Sequence, residues 1–404
     1  MKAAYICEPQ VGGTFVFFSQ IRPELAKHGI DLRCIPPFDQ SAYCHTRYWG
    51  MDGIDFLSLP DDPRAALGEI LRHLREEDFR AVLVLPGCHV LGTSLPAYLP
   101  VHIGCAAKIP HNGRGTYRPA REMEPYLDAL APVNYLLAED LSRRYGVPER
   151  KIRVIHIGID PDHFGYRERD RKDGEPVRLA FVGRLNDLEK NICLLPDIVA
   201  ELKRQGVEAV CTVVGEGGDR RLLEERIRKR GVEGAFILTG AVPYADVPAL
   251  LHQADFFLMP SRFEGCPHAL MEAMATGCVP VVSRLRGTLD RIVAEGETGC
   301  LATVGDSREF AEAIARLSRN ADACRRMGQA ARRVVLERFT TARMAQSYAE
   351  MLCEVADHPG QQPTPRPLDS FVPPASMAWT WRQWIPLPVK KMVRTLYGRL
   401  GRSI

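Results

Sequence analysis

The sequence predicts an α/β protein made of two similar domains, each a parallel sheet covered by helices on both faces. Three observations predict it. Short apolar runs alternate with amphipathic stretches along most of the chain, and 404 residues are more than one hydrophobic core usually serves. Residues 166–176, YRERDRKDGEP, carry eight charges in eleven positions and no aliphatic side chain, so they cannot be core and mark the joint between the halves. The expected division is residues 1–165, residues 177–345, and a final part, 346–404, holding a helix, a proline-rich linker and a basic, tryptophan-rich tail.

In the first half, residues 2–7 read as a strand, and Gly12-Gly13 open a helix that runs to His28 and stops at Gly29. Paired glycines at a strand-to-helix turn allow close backbone approach to a ligand, but the G-x-G-x-x-G dinucleotide fingerprint is absent. A strand at 31–35 follows, then an irregular stretch to Gly50, a helix at 63–76, and strands at 81–85, 101–109, 133–137 and 152–157. Three histidines, His89, His102 and His111, lie within these strands or near their carboxyl ends. His102 falls early in its strand and reads as structural. His111 sits in a polar, flexible loop with Asn112, Gly113 and Gly115, so it can face a ligand.

The second half restarts the pattern. Strands are expected at 177–182, 209–214, 235–238, 256–259 and 279–282, with helices at 192–205, 220–230 and 245–254. After its first strand, Gly183-Arg184 and Lys190 place two cations six residues apart on a strand-to-helix turn, a planar fork and a mobile point charge suited to a diphosphate. Gly215-Glu216-Gly217-Gly218 is a flexible turn after the next strand. Between the last two strands lies PSRFEGCPHALMEAMATG, residues 260–277, with Glu264 and Glu272 eight positions apart. Pro267 suits a first helical position and Gly277 the residue past the end. Leu270, Ala273, Met274 and Gly277 make the stripe that packs on the sheet, and Glu272 falls off it. Basic residues and glycines on loops are ordinarily solvated turn chemistry. These share one property: each falls at the carboxyl end of an expected strand, where open α/β sheets bind ligands. Two acids beside a helix start that favours anions suggest a ligand with both hydroxyls and phosphate.

Composition excludes several classes. A net charge of +3 gives no argument for nucleic acid as a partner, and 12 cysteines without a C-x-x-C pair or a His/Cys cluster indicate neither a disulfide framework nor a metal site. The first residues reach a charge and a proline too soon for a signal-peptide core, and no run approaches the roughly 20 apolar residues of a membrane span. A reducing cytoplasm is the expected setting.

Phe263-Glu264-Gly265-Cys266-Pro267 through Glu272-Ala273, together with Gly183-Arg184-Leu185, Lys190, Gly215-Glu216-Gly217 and Val154 through Asp160, resembles the retaining family-4 glycosyltransferases of the GT-B fold, also called group 1, over roughly residues 1–350. The resemblance implies two Rossmann-like domains facing across a cleft and transfer of a sugar from a UDP- or GDP-linked donor, with retention and with no metal or other cofactor. It implies that Arg184 and Lys190 hold the donor diphosphate, that Glu272 accepts the ribose hydroxyls, and that Glu264 contacts the donor sugar with the backbone at Gly265 and Cys266. Gly183 and Gly215 line the donor, Gly12-Gly13 the loop that closes over donor or acceptor, and His111, or alternatively His89, lies near the reacting sugar.

Residues 357–376 hold six prolines and read as a linker or an extended strap. Residues 377–404 carry Trp379, Trp381 and Trp384 and six Lys or Arg with no acid, the pattern of an interfacial helix on an anionic membrane, or of a helix packed back on the first domain. The expected function is a glycosyltransferase that moves sugar to a glycan or lipid-linked acceptor in cell-surface polysaccharide or glycoconjugate assembly, cytoplasmic and peripheral to the inner face of the membrane. The alternatives are a nucleotide-sugar epimerase or hydrolase on the same frame, or a non-catalytic nucleotide-sugar-binding scaffold.

Overall fold

The computed structural model describes residues 1–9, 13–46, 48–110, 114–169, 174–359 and 363–377. The chain divides into two compact units, Met1–His156 with Thr341–Ile404, and Ile157–Thr340.

The first unit is built on strands β1 (Lys2–Ile6), β2 (Asp31–Ile35), β3 (Phe79–Val84), β4 (Gly104–Ile109) and β5 (Ala129–Pro132), all parallel, in the order β2-β1-β3-β4-β5. Burial on both faces makes these strands near-continuous apolar runs, as parallel sheets require. Its helices are α1 (Gly13–Lys27), α2 (Pro63–Glu76), α3 (Val90–Ser94), α4 (Arg114–Met123) and α5 (Tyr135–Arg143). α2 shows how directly sequence sets an element. The Asp62 carboxylate accepts the Ala65 N–H at 2.8 Å, Pro63 opens the helix, and Ala66, Leu67, Ile70, Leu71 and Leu74 form the buried stripe.

Three expectations here are corrected. Residues 133–137 are not a strand: β5 ends at Pro132, and Asn134 caps α5 by accepting the Leu137 N–H at 2.8 Å. Residues 152–157 make only an isolated bridge, Ile152 to Leu130, beside the edge strand β5. β4 begins at Gly104, which leaves His102 exposed in the turn ahead of it rather than inside a strand.

The second unit has six parallel strands, β6 (Val177–Val182), β7 (Ala209–Val214), β8 (Phe236–Gly240), β9 (Phe256–Met259), β10 (Val279–Ser283) and β11 (Cys300–Ala302), in the order β11-β10-β9-β6-β7-β8. Its helices are α6 (Asp187–Lys190), α7 (Leu194–Arg204), α8 (Arg220–Arg230), α9 (Val247–His252), α10 (His268–Ala275), α11 (Ser307–Ser318) and α12 (Ala321–Arg338). The core lies on both sheet faces: Phe181, Phe256 and Phe310 belong to one cluster, Phe257, Met274 and Phe339 to the other. The chain runs outward from β6 through β7 to β8, then returns to the other side of β6 with β9. The crevice between the carboxyl ends of β6 and β9 is therefore the topological switch point of this sheet.

The unit boundaries differ from the expected ones at 165, 177 and 345. Ile159 and Phe164 are fully buried in the core of the second unit, which therefore starts at Ile157. The charged joint starts on that unit too: the Arg167 N–H donates to the Thr276 carbonyl at 3.2 Å. At the other end, α13 (Thr341–Asp357) returns to the first unit and packs on α1, β3 and β4. Gly104 permits this crossing, because a Cβ there would overlap the Val355 carbonyl of α13.

Residues 363–377 form an extended strap on the first unit. Arg366 donates to the Tyr126 hydroxyl at 3.0 Å, and Glu122 of α4 accepts the Ala375 and Ser376 N–H groups at 2.7 and 2.9 Å. Among the described residues no helix is long and apolar enough to cross a membrane. The tryptophan-rich stretch expected to act as an interfacial helix lies outside the described residues from 378 on.

Candidate functional site

Three loops at the carboxyl ends of β7, β6 and β9 are joined into one platform in the second unit. The β6 loop binds the β7 loop through backbone: Gly183 N–H to Val214 carbonyl at 3.0 Å, Leu185 N–H to Glu216 carbonyl at 2.9 Å, and Asp219 N–H to Leu185 carbonyl at 3.1 Å. Glycine is required for this approach. A Cβ at Gly215, which sits at φ +133°, would overlap the Gly183 carbonyl, and one at Gly217 would overlap that of Leu185. On the other side the Glu189 carbonyl accepts the Arg262 N–H at 2.8 Å, and the Arg262 guanidinium donates to the Asp187 carbonyl.

Lys190 ends the short helix α6, followed by Asn191 in the left-handed region at φ +52°. Its ammonium donates to both oxygens of Glu264, at 2.7 and 2.9 Å. The Ser261 hydroxyl donates to Oε1 of the same carboxylate at 2.6 Å. Lys190 and Glu264 side chains are only 19% and 4% exposed, so the pair is largely withdrawn from water and each charge depends on the other. Two residues 74 positions apart meet because β6 and β9 are neighbours at the switch point.

Arg184 behaves differently. Its side chain is 76% exposed and reaches Glu189 at 3.3 Å, a surface pair of the kind that contributes little and exchanges readily for another anion.

Glu272 lies on α10, and although it is off the apolar stripe it is buried beneath Tyr244. The Tyr244 hydroxyl donates to its Oε1 at 3.1 Å. Burial pushes the carboxyl up to about 7, against the opposing pull of that hydrogen bond. At that value Glu272 is an acceptor-only carboxylate above neutral pH and carries a proton below it. Burial likewise raises the Tyr244 phenol well above its ordinary value, with the nearby Glu272 charge adding to the effect.

Pro267 is the residue before α10 rather than its first helical position, and the His268 N–H turns back to the Cys266 carbonyl at 3.1 Å. Gly265 and Cys266 are half-buried in the same loop, with Cys266 packed on the core. In the first unit Gly13 opens α1. The His89 ring is half-buried and accepts the Leu91 N–H at Nδ1, 3.1 Å away, which leaves the proton at Nε2; burial lowers its pKa and favours that neutral form. Its ring meets Phe38 edge-on at 4.5 Å. Gly12 and His111 lie outside the described residues.

The structure thus brings Lys190 onto Glu264, and Gly215 against the backbone of Gly183. Arg184 is held by Glu189 instead, and Glu272 by Tyr244. Sequence reasoning missed Ser261, Glu189 and Tyr244. Ser261 stands three residues before Glu264 in the same loop, a signal that was present; Tyr244 lies 28 residues from Glu272 and carried none.

Residues 164–334 match the family model described as glycosyl transferases group 1. The amylovoran biosynthesis glycosyltransferase AmsK of Erwinia amylovora is 33% identical over 197 residues, 47% of this chain and 47% of its own. Glycogen synthase of Mycobacterium tuberculosis is 28% identical over 239 residues, 59% of this chain and 57% of its own. The chain spans about half the length of the curated relatives it matches. Among solved structures, Anabaena Alr3699/HepE in complex with UDP aligns with a TM-score of 0.71 at 16% identity, covering 88% of this chain and 100% of that one. The lipopolysaccharide outer core galactosyltransferase WaaB aligns with a TM-score of 0.70 at 19% identity, covering 87% and 99%. At these identities the likeness establishes the fold: two parallel-sheet α/β domains of the GT-B class.

Proposed function

We propose that the protein is a retaining glycosyltransferase that moves a sugar from a UDP- or GDP-linked donor to a glycan or lipid-linked acceptor in the assembly of a cell-surface polysaccharide. The observation that carries this reading is the Lys190–Glu264 pair at the switch point, next to Arg184 and inside the stretch that matches the group 1 family model. The name of AmsK, for a polysaccharide biosynthesis enzyme, and the UDP bound by HepE support it. Retention rests on the resemblance of the Phe263–Pro267 and Glu272-Ala273 block.

In this reading Arg184 leaves Glu189 for the diphosphate, and Lys190, with a third N–H beyond the two given to Glu264, adds a second cation. Negative charge grows on the diphosphate as the glycosidic bond breaks, and prearranged cations lower that barrier. Glu264, fixed by Lys190 and Ser261, presents its position to the sugar; Glu272 takes the ribose. Metal independence and cytoplasmic residence belong to the same proposal.

Acceptor-dependent release of nucleotide from UDP- or GDP-sugars, with the anomeric configuration of the product kept, is the expected result by NMR. Isomerised nucleotide-sugar without acceptor would indicate an epimerase, acceptor-independent release a hydrolase, and binding without turnover a scaffold.

Residues 378–404 have a basic, tryptophan-rich composition that fits an anionic membrane surface. Flotation of the full chain with anionic vesicles is expected, with loss of binding on truncation after Met377. Equal flotation of the truncated chain would exclude this role.

A further inference from the structure

Tyr244 occupies a place in the site that the chemistry above does not use. It begins a one-turn segment, Tyr244–Asp246, just before α9. Its residue is half exposed while Glu272 beneath it is only 6% exposed, so a ligand hydroxyl approaching that carboxylate arrives along the phenol. The phenol ring is fixed from two sides. It stacks on His163 with centroids 5.2 Å apart and planes at 21°, and meets the Phe164 ring near perpendicular at 5.7 Å. His163 is itself held at its backbone, its N–H donating to Asp160 Oδ1 at 3.4 Å. Swinging the ring aside would break this stack, which favours keeping the hydroxyl against Glu272.

We propose that Tyr244 is a specificity-determining residue of this site, its hydroxyl oxygen and the Oε2 of Glu272 forming a two-acceptor edge that takes the vicinal diol of a ribose. The inference rests on the nucleotide-sugar reading given above. A phenol has one proton, and Tyr244 gives it to Glu272 Oε1. Its oxygen lone pairs then remain to accept from one ligand hydroxyl while Oε2 accepts from the neighbouring one. A ligand lacking the hydroxyl that faces Oε2 leaves an acceptor unpaired on a carboxylate only 6% exposed, and one lacking its neighbour leaves the phenol oxygen unpaired under the bound ligand, which is how a polar site rejects a close analogue. The same hydrogen bond favours the charged form of Glu272, so Tyr244 also positions the carboxylate's titration.

The test uses the full chain, its Tyr244→Phe and Glu272→Gln variants, and UDP-glucose and GDP-mannose with their 2′-deoxy and 3′-deoxy counterparts, by calorimetry. The wild-type protein is expected to prefer the intact diol over each deoxy form by tenfold or more, on the order expected for a buried hydroxyl contact. Tyr244→Phe is expected to lose about 3–10-fold on the intact donor and nothing on one of the two deoxy forms, so that discrimination at that hydroxyl collapses while the other persists. The pH midpoint of binding should also move upward in Tyr244→Phe, which a merely structural ring would not cause. Unchanged discrimination with an unchanged midpoint would overturn the proposal and leave the nucleotide reading intact, since Glu272→Gln would still weaken binding. Absence of binding by the wild-type chain to either donor would overturn that reading and this inference with it.

Discussion

Lys190→Ala is expected to destabilise the second unit by about 3 kcal/mol and to slow transfer by about 10²–10³-fold. The stability loss comes from what is left behind. Glu264 has a side chain 4% exposed, and without the ammonium its charge keeps, among the described residues, the Ser261 hydroxyl. Removing one partner of a nearly buried pair costs far more than removing both, because the survivor must stay charged without solvent or be protonated. The double variant Lys190→Met, Glu264→Gln should therefore recover most of the lost stability, since the amide is neutral and can still accept from Ser261. It should recover no activity, because the cation for the leaving diphosphate and the carboxylate for the sugar are both gone. Urea unfolding, with hydrogen exchange read at β6 and β9, separates the two effects. A double variant no more stable than the single one would show that the pair is not a coupled unit.

The same pair shows how far the sequence can be read. β7, β9, α2 and α8 match the expected bounds because apolar runs bounded by glycine, proline or charge leave few alternatives. Glu264 and Lys190 could be placed at the carboxyl ends of strands, but not beside each other. Strand order is set by the reversal after β8, and that reversal depends on which sheet edge is left for β9 to cover, a tertiary choice without a local signature. The errors have local causes. The apolar side chains of 133–137 imitate a strand, yet Asn134 competes for the backbone as a helix cap, and its side-chain bond to Leu137 N–H decides the outcome. Residues 152–157 are apolar enough for a strand and donate to β5 from Arg153 N–H to Leu130 and from Ile155 N–H to Pro132, but beside that short edge strand they complete a single bridge and no ladder.

Tyr244 and the burial of Glu272 were not legible for a related reason. A helix position off the apolar stripe reads as solvent-facing, and Glu272 is such a position. α10, however, is covered on more than one side: α12 lies against it, close enough that a Cβ at Gly328 would overlap the Gly277 carbonyl. Periodicity predicts which face meets one layer, not how many layers arrive. Likewise the expected joint at 166–176 was marked by charge, whereas the actual division was drawn by Ile159 and Phe164, two buried residues that flank Asp160 and Asp162 and stand outside any charged run.

Glu272→Gln is expected to make the unliganded second unit more stable at pH 8, by about 3 kcal/mol, and to leave it unchanged near pH 4. The sign follows from the raised pKa. A carboxyl at about 7 in the folded chain, against an ordinary 4.5, holds its proton through a range in which the unfolded chain has lost it. Between those values the folded state binds more protons, so stability falls as pH rises, and the whole loss is in place above pH 7. An amide never ionises, escapes that loss, and keeps an oxygen for the Tyr244 hydroxyl. Donor binding should run the other way. Ligand hydroxyls donate to the carboxylate form, so affinity for a nucleotide-sugar, whose diphosphate does not titrate in this range, should rise about tenfold from pH 6 to pH 8 in the wild-type chain. Glu272→Gln should bind more weakly and with no such rise. Urea unfolding at pH 4 and pH 8, paired with calorimetry at pH 6 and pH 8, checks both halves. A variant that gains equal stability at both pH values would mean that Glu272 carries no buried titration, and a wild-type affinity flat with pH would remove it from the ribose. Gain of stability with loss of binding is the outcome expected where an acid is buried to meet a ligand rather than to hold the fold.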